Sequence, residues 1–171
     1  MIDIEKIKLS TRDIALMGIM LAIIEVAKLA LSSIAGVEVV TLLFIVYTLF
    51  FGKKMIYMLP TYLLIEGILG GFGIWWFMYV YIWAILVLIT YICRKNKSVW
   101  FWSMIAGLFG LFFGLLCCPV YFVTNGIQTG FAWWLAGIPT DILHGVSNFV
   151  LCLILFKPLN DILGYLKKNA Q

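Results

Sequence analysis

All but one of the chain's twelve lysines and arginines fall in four short segments, and that spacing constrains the fold more than any other feature. Lys6, Lys8 and Arg12 open the chain, Lys53 and Lys54 form a pair, Arg94, Lys95 and Lys97 cluster, and Lys157, Lys167 and Lys168 lie toward the end. The intervening chain holds six apolar stretches, at 13–33, 37–51, 55–69, 75–93, 100–123 and 138–156. The connections at 35–36, 70–73 and 124–137 contain no basic residue. Reading each apolar stretch as a membrane crossing puts all four basic segments on one side, which the positive-inside rule makes cytoplasmic. Another number of crossings scatters the charges over both faces. The expected fold is an all-α membrane protein, a six-transmembrane-helix bundle with N and C termini cytoplasmic.

Composition points the same way. The chain is 64% hydrophobic and 12% charged, against about 45–50% and about 25% in soluble domains. A soluble fold of 171 residues cannot hide that surplus, so it must face lipid, as one integral membrane domain over 1–171. The opening MIDIEKIKLSTR mixes charges and leads to no small-residue cleavage site, so the first apolar stretch is read as a retained helix. Ser10 or Thr11 can cap it, and Asp13 complements its dipole. The second and third stretches fall short of the ~20 residues that span a bilayer upright. Two crossings in a thinned bilayer and a partly re-entrant segment both accommodate them, and the charge pattern favours two crossings.

Polar residues in the apolar stretches are few. Lys28 stands inside the first, with Glu25 three residues before it on the same helix face. An unpaired charge at membrane depth costs ~2.5–3.5 kcal/mol on insertion scales, so Lys28 is paired near the outer interface or faces a polar cavity. With the topology above, Lys28, Glu38, Thr41, Glu66, Asn125, Gln128, Thr140 and Asp141 fall toward the outer half. His144 and Asn148 follow one and two turns deeper, and Asp141, His144 and Asn148 share one face of the last helix. Pro139 suits that helix's first turn. The stripe is either a hydrogen-bonded lock between helices or the lining of an outward pocket. Trp75, Trp76, Tyr79, Tyr81, Tyr121, Trp133 and Trp134 crowd the same level, in part as an interfacial belt.

Other chemistry is sparse. One histidine is too few for a zinc site, which wants three or four ligands, so neither a metal nor a cofactor is expected. Cys93, Cys117, Cys118 and Cys152 lack metal or redox spacing and read as small packing residues. Ala15, Gly18 and Ala22 occupy neighbouring positions on the first helix, where small side chains admit another helix, inside the bundle or outside it. No Walker A, nucleotide fold, nucleophile elbow or H-E-x-x-H is present. Active transport would therefore draw energy from partner subunits or an ion gradient. An enzyme is not expected, and the partner surface is lipid, not nucleic acid.

Three segments carry a family resemblance: VEVVTLLFIVYTLFFGKK (37–54), EGILGGFGIWWFMYVYIWA (66–84) and WWLAGIPTDILHGVSNFVLCLILFKPL (133–159). In this order, over nearly the whole chain, they resemble the substrate-binding S component of energy-coupling factor (ECF) vitamin transporters. The string G-I-P-x-D-x-x-H-x-x-x-N at 137–148 is the most specific part. The resemblance implies a multi-pass protein of a prokaryotic plasma membrane that captures a vitamin-like substrate from outside. It implies docking through the first helix onto a transmembrane scaffold subunit with two ATPase subunits, and toppling of the loaded bundle to release cargo inward. Gly18 and Ala22, with Ala15 a turn earlier, match the A-x-x-x-A-like docking motif; glycine in place of its first alanine is a sterically permissive departure. The expected substrate-binding residues are Lys28, Glu38, Thr41, Glu66, Trp75, Trp76, Tyr79, Asn125, Asp141, His144 and Asn148, with the turns GGFG and TNGIQTG as an outer lid. A stand-alone small-metabolite channel or facilitator is the alternative, followed by an intramembrane enzyme or assembly factor. The cargo stays open among a corrinoid, a pyridine, a pterin, a flavin and a queuine-like base, with a cationic or N–H-rich ring favoured.

Overall fold

A computed structural model of the chain describes residues 7–168. Lys6 of the first basic segment and residues 169–171 of the C-terminal extension lie outside the described residues. The described chain is helical throughout: α1 (Thr11–Leu31), α2 (Val40–Phe51), a 3-10 turn (Gly52–Lys54), α3 (Met55–Gly70), α4 (Ile74–Cys93), α5 (Val99–Leu111), α6 (Phe113–Asn125) and α7 (Ile127–Lys168). Five helical stretches are long and apolar enough to cross a membrane: Thr11–Leu31, Val40–Gly70, Ile74–Cys93, Val99–Asn125 and Ile127–Lys168.

Local chemistry sets several of these boundaries. Ser10 caps α1: its hydroxyl accepts from the Asp13 N–H, and the Asp13 carboxylate accepts from the Ser10 N–H at 2.8 Å. Gly52, at φ +56, turns the chain out of α2 into the 3-10 turn, a conformation that favours glycine.

One expectation holds with a refinement and one needs correction. The stretch at 100–123 forms one span, Val99–Asn125, divided at the turn residue Phe112 into α5 and α6, where the carboxylate of Asp141 accepts from the Gly114 N–H at 3.1 Å. The connection at 124–137 is mostly helix. After the single turn residue Gly126, at φ +84, α7 starts at Ile127 and runs 42 residues, so Pro139 lies well inside it and not in its first turn. Helix satisfies its own backbone groups, which an irregular loop of that length would leave without intrachain partners. Neighbouring helices also let membrane helices tolerate the hydrogen bond that a proline removes.

The core forms around α2, whose residues from Val40 to Thr48 are all buried. A helix that is apolar on every side belongs at the centre. Between membrane helices, close packing and dispersion hold such a core together. α1 is peripheral by contrast, with Ile14, Ile19, Ile23 and Val26 exposed along its outer face.

Pairings fix the helix directions. Lys54, just before α3, meets Asp13 at the start of α1 at 2.7 Å, and Glu66, near the end of α3, meets Lys28 near the end of α1. α3 thus runs parallel to α1, and α2 returns between them in the opposite sense. Arg12 donates to the Leu166 carbonyl at 3.1 Å, joining the start of α1 to the end of α7. Arg94, Lys97 and Lys157 share a cleft beside Leu49 of α2. Members of all four basic segments therefore gather at one end of the bundle.

Candidate functional site

The opposite end holds a cavity of about 370 Å³. Its outer rim is the loop from Ser32 to Val39, which is pinned to α7: Ser147 Oγ donates to the Gly36 carbonyl at 2.5 Å. Gly36 has φ +75, and a Cβ there would collide with Leu143. Its conformation and the close approach both call for glycine.

Of the expected site residues, Lys28, Glu38, Tyr79, His144 and Asn148 line this cavity. Thr41 lies directly behind it and ties two of them together. Its hydroxyl donates to Glu38 Oε1 at 2.5 Å and accepts from Asn148 Nδ2 at 3.3 Å, while its N–H donates to Glu38 Oε2 at 3.0 Å. Glu38 thereby caps the first turn of α2 from three residues upstream, complementing the helix dipole. With its amide nitrogen spent on Thr41, Asn148 keeps a buried Oδ1 that has no partner among the described residues.

Glu66 reaches the site through Lys28. The ammonium of Lys28 pairs with Glu25 at 3.1 Å and with Glu66, and sits 5.8 Å from the centre of the Tyr62 ring. The Glu25 pairing is the one their spacing in α1 permits. Glu25 and Glu66 both pair with the one ammonium, and Glu38, on the cavity wall, adds a third carboxylate at this end of the bundle, an excess that attracts cationic or N–H-donating groups.

The remaining expected residues lie elsewhere. Trp76 Nε1 donates to the Leu63 carbonyl at 2.7 Å, and Trp75 stacks edge-on against Tyr79 at 5.2 Å; neither lines the cavity. Asn125 is exposed at the end of α6, where it accepts from the Thr124 hydroxyl. Asp141 is buried at the α5–α6 break, away from the cavity lining. Neither GGFG nor TNGIQTG lines the cavity. Ala15, Gly18 and Ala22 are all exposed on α1, and a Cβ added to Gly18 would meet no atom within 4 Å.

Sequence reasoning missed the residue at the centre of the floor. Trp83 is 3% exposed and packs against the rings of Phe44, Tyr62, Tyr79, Phe109 and Phe113, at centroid distances from 5.1 to 6.1 Å. Its indole N–H is buried without a partner among the described residues. The available signal was its spacing, four residues past Tyr79 on the same face of α4. Also missed were Gly107 and Gly110 of α5, which let that helix approach α7 closely. A Cβ on Gly110 would lie 2.8 Å from both the His144 carbonyl oxygen and Asn148 Nδ2.

Compared with family models, curated proteins and solved structures, the chain matches none.

Proposed function

We propose that this protein is the membrane-embedded, high-affinity substrate-binding subunit of an ATP-driven micronutrient importer. It takes up a small, flat, N–H-rich or cationic heterocycle from outside the cell. The observation that carries the reading is the cavity itself. Two residues on its walls, Trp83 and Asn148, carry polar atoms, the indole N–H and Oδ1, that are closed off from solvent and lack partners among the described residues. Unpaired buried polar groups cost about 1–3 kcal/mol each, so a ligand that displaces the side chains over them and presents one acceptor and one donor would relieve both. Tyr79, Trp83 and Phe113 offer aromatic faces for stacking, and the carboxylate excess around Lys28 suits positive charge or N–H donors. At about 370 Å³ the cavity is near the small end of the ~300–1,000 Å³ range of ligand sites. That favours a molecule of one or two rings over a corrinoid.

The supporting topology is six crossings with both termini cytoplasmic. α2 and α3, of 12 and 16 residues, reach only about 18 and 24 Å, so each crosses a locally thinned bilayer. The basic end then faces the cytoplasm and the cavity opens outward. The outward-facing Ala15, Gly18 and Ala22 offer a smooth face on α1 for a transmembrane scaffold subunit bearing two ATPases.

Native mass spectrometry of the solitary protein tests this reading. One small molecule should be retained per chain, without turnover. Trp83→Phe, which keeps the ring but removes the N–H, should weaken its binding by roughly 2- to 10-fold, the worth of one neutral hydrogen bond. Solute equilibration by the lone protein in liposomes would instead identify a facilitator.

A further inference from the structure

The basic end of the bundle contains a second concavity, of about 550 Å³, which the importer reading does not use. Three chain segments meet there: the start of α1, the turn between α2 and α3, and the end of α7. Among the described residues, Lys8, Arg12, Lys54 and Lys167 line it against one carboxylate, Asp13. The segments hold one another in place through the Lys54–Asp13 pair at 2.7 Å and the Arg12 bond to the Leu166 carbonyl at 3.1 Å. That bond uses one of the five N–H donors of the Arg12 guanidinium.

We infer that this cleft binds the phosphodiester headgroup of an anionic phospholipid. The first turn of α1 is already capped by Ser10 and Asp13, so recognition falls to the side-chain cations. Among the described residues four cations line the cleft against one carboxylate, a balance that selects an anion, and Arg12 presents a fork that fits phosphate oxygens. The remaining walls are apolar: Leu16, Phe50 and Phe51 line the cleft where the apolar helices end. Beside it, the exposed Ile19, one turn past Leu16, continues the apolar surface along α1, the direction acyl chains take from a headgroup. A free phosphate matches the cations but gains nothing from these walls, whereas a glycerophospholipid matches both. Basic pockets between helices on the cytoplasmic side of a membrane are suited to anionic headgroups.

The test is lipid binding to the purified full chain in neutral detergent, read by native mass spectrometry. Phosphatidylglycerol should be retained at one molecule per chain, roughly tenfold or more over phosphatidylcholine, and millimolar inorganic phosphate should not displace it. Lys8→Gln/Lys167→Gln leaves the Lys54–Asp13 and Arg12–Leu166 contacts in place and should weaken retention about tenfold or more. Lys53→Gln/Lys95→Gln removes equal charge outside the cleft and should leave retention unchanged. Equal retention of the two lipids would overturn the inference, as would equal losses in the two double variants. Displacement by inorganic phosphate would identify a soluble anion as the occupant and overturn the lipid assignment.

Discussion

Lys28 holds two carboxylates from different helices, and its charge is what lets Glu25 and Glu66 lie so close in a low-dielectric region. Removing one partner of a buried ion pair costs about 3–5 kcal/mol, because the remaining charge is left uncompensated. The Lys28 side chain is 30% exposed, so solvent screening lowers the expected cost of Lys28→Met to about 1–3 kcal/mol. Thermal unfolding in detergent should therefore show a clearly lower Tm for Lys28→Met. Most of the loss should return in Lys28→Met/Glu66→Gln, where the second carboxylate is neutral. An unchanged Tm in the single variant would mean that the three groups are solvated independently. The spacing of Glu25 and Lys28 made one half of this triad legible in the sequence. Its other half, 38 residues on in α3, depends on α3 lying parallel to α1, and no local spacing encodes that. The aromatic floor was hidden for a related reason. Trp75 and Trp76 stand in the first turn of α4 and Trp83 about 12 Å further along, at its middle, and only helix rotation decides that Trp83 points inward.

Glycines show how much an element's surroundings decide. Gly18 of α1 and Gly110 of α5 both sit inside apolar helices, yet a Cβ meets nothing within 4 Å at the first and lies 2.8 Å from a backbone oxygen at the second. Gly18→Leu and Ala22→Leu should therefore leave folding and ligand retention unchanged while abolishing ATP-dependent uptake in the presence of partner subunits. Normal transport by both variants would refute docking through this face of α1. Gly110→Ala should instead lower stability by about 1–3 kcal/mol, as overpacking does, and weaken ligand retention by pushing His144 and Asn148 outward. Unfolding and binding assays on the same preparations separate the two effects. Helix starts were legible where cap chemistry marks them, as at Ser10. The course of α7 was not, because Gly126 alone makes the turn and Gln128, Thr129 and Gly130 look like a loop in sequence while continuing as helix. The central place of α2 was equally unreadable. A uniformly apolar run does not reveal whether lipid or other helices surround it.

At the scale of the molecule, the charge pattern and the packing bear on the same axis. The four basic segments are far apart in sequence, yet contacts among α1, α2, α3 and α7 bring members of each to one end, while Lys28, Glu38 and Glu66 lie at the other. On the proposed topology, a membrane perpendicular to that axis gives both ends a physical reason: cations would rest among anionic headgroups, and the acid-rich cavity would open to the outside. Crossing by both α2 and α3 is the step on which this arrangement depends, since a re-entrant hairpin would leave Lys53 and Lys54, at its tip, within the membrane and short of the cytoplasmic face. Single cysteines at Lys53, Phe72, Lys95 and Asn125, in a Cys93→Ser background, make the step measurable with a membrane-impermeant maleimide. In intact cells Phe72→Cys and Asn125→Cys should label while Lys53→Cys and Lys95→Cys stay protected, and inside-out vesicles should reverse the pattern. If Lys53→Cys and Lys95→Cys labelled from opposite faces, the α2–α3 pair would not cross as two helices. The outward mouth of the cavity and the importer reading would then fail together.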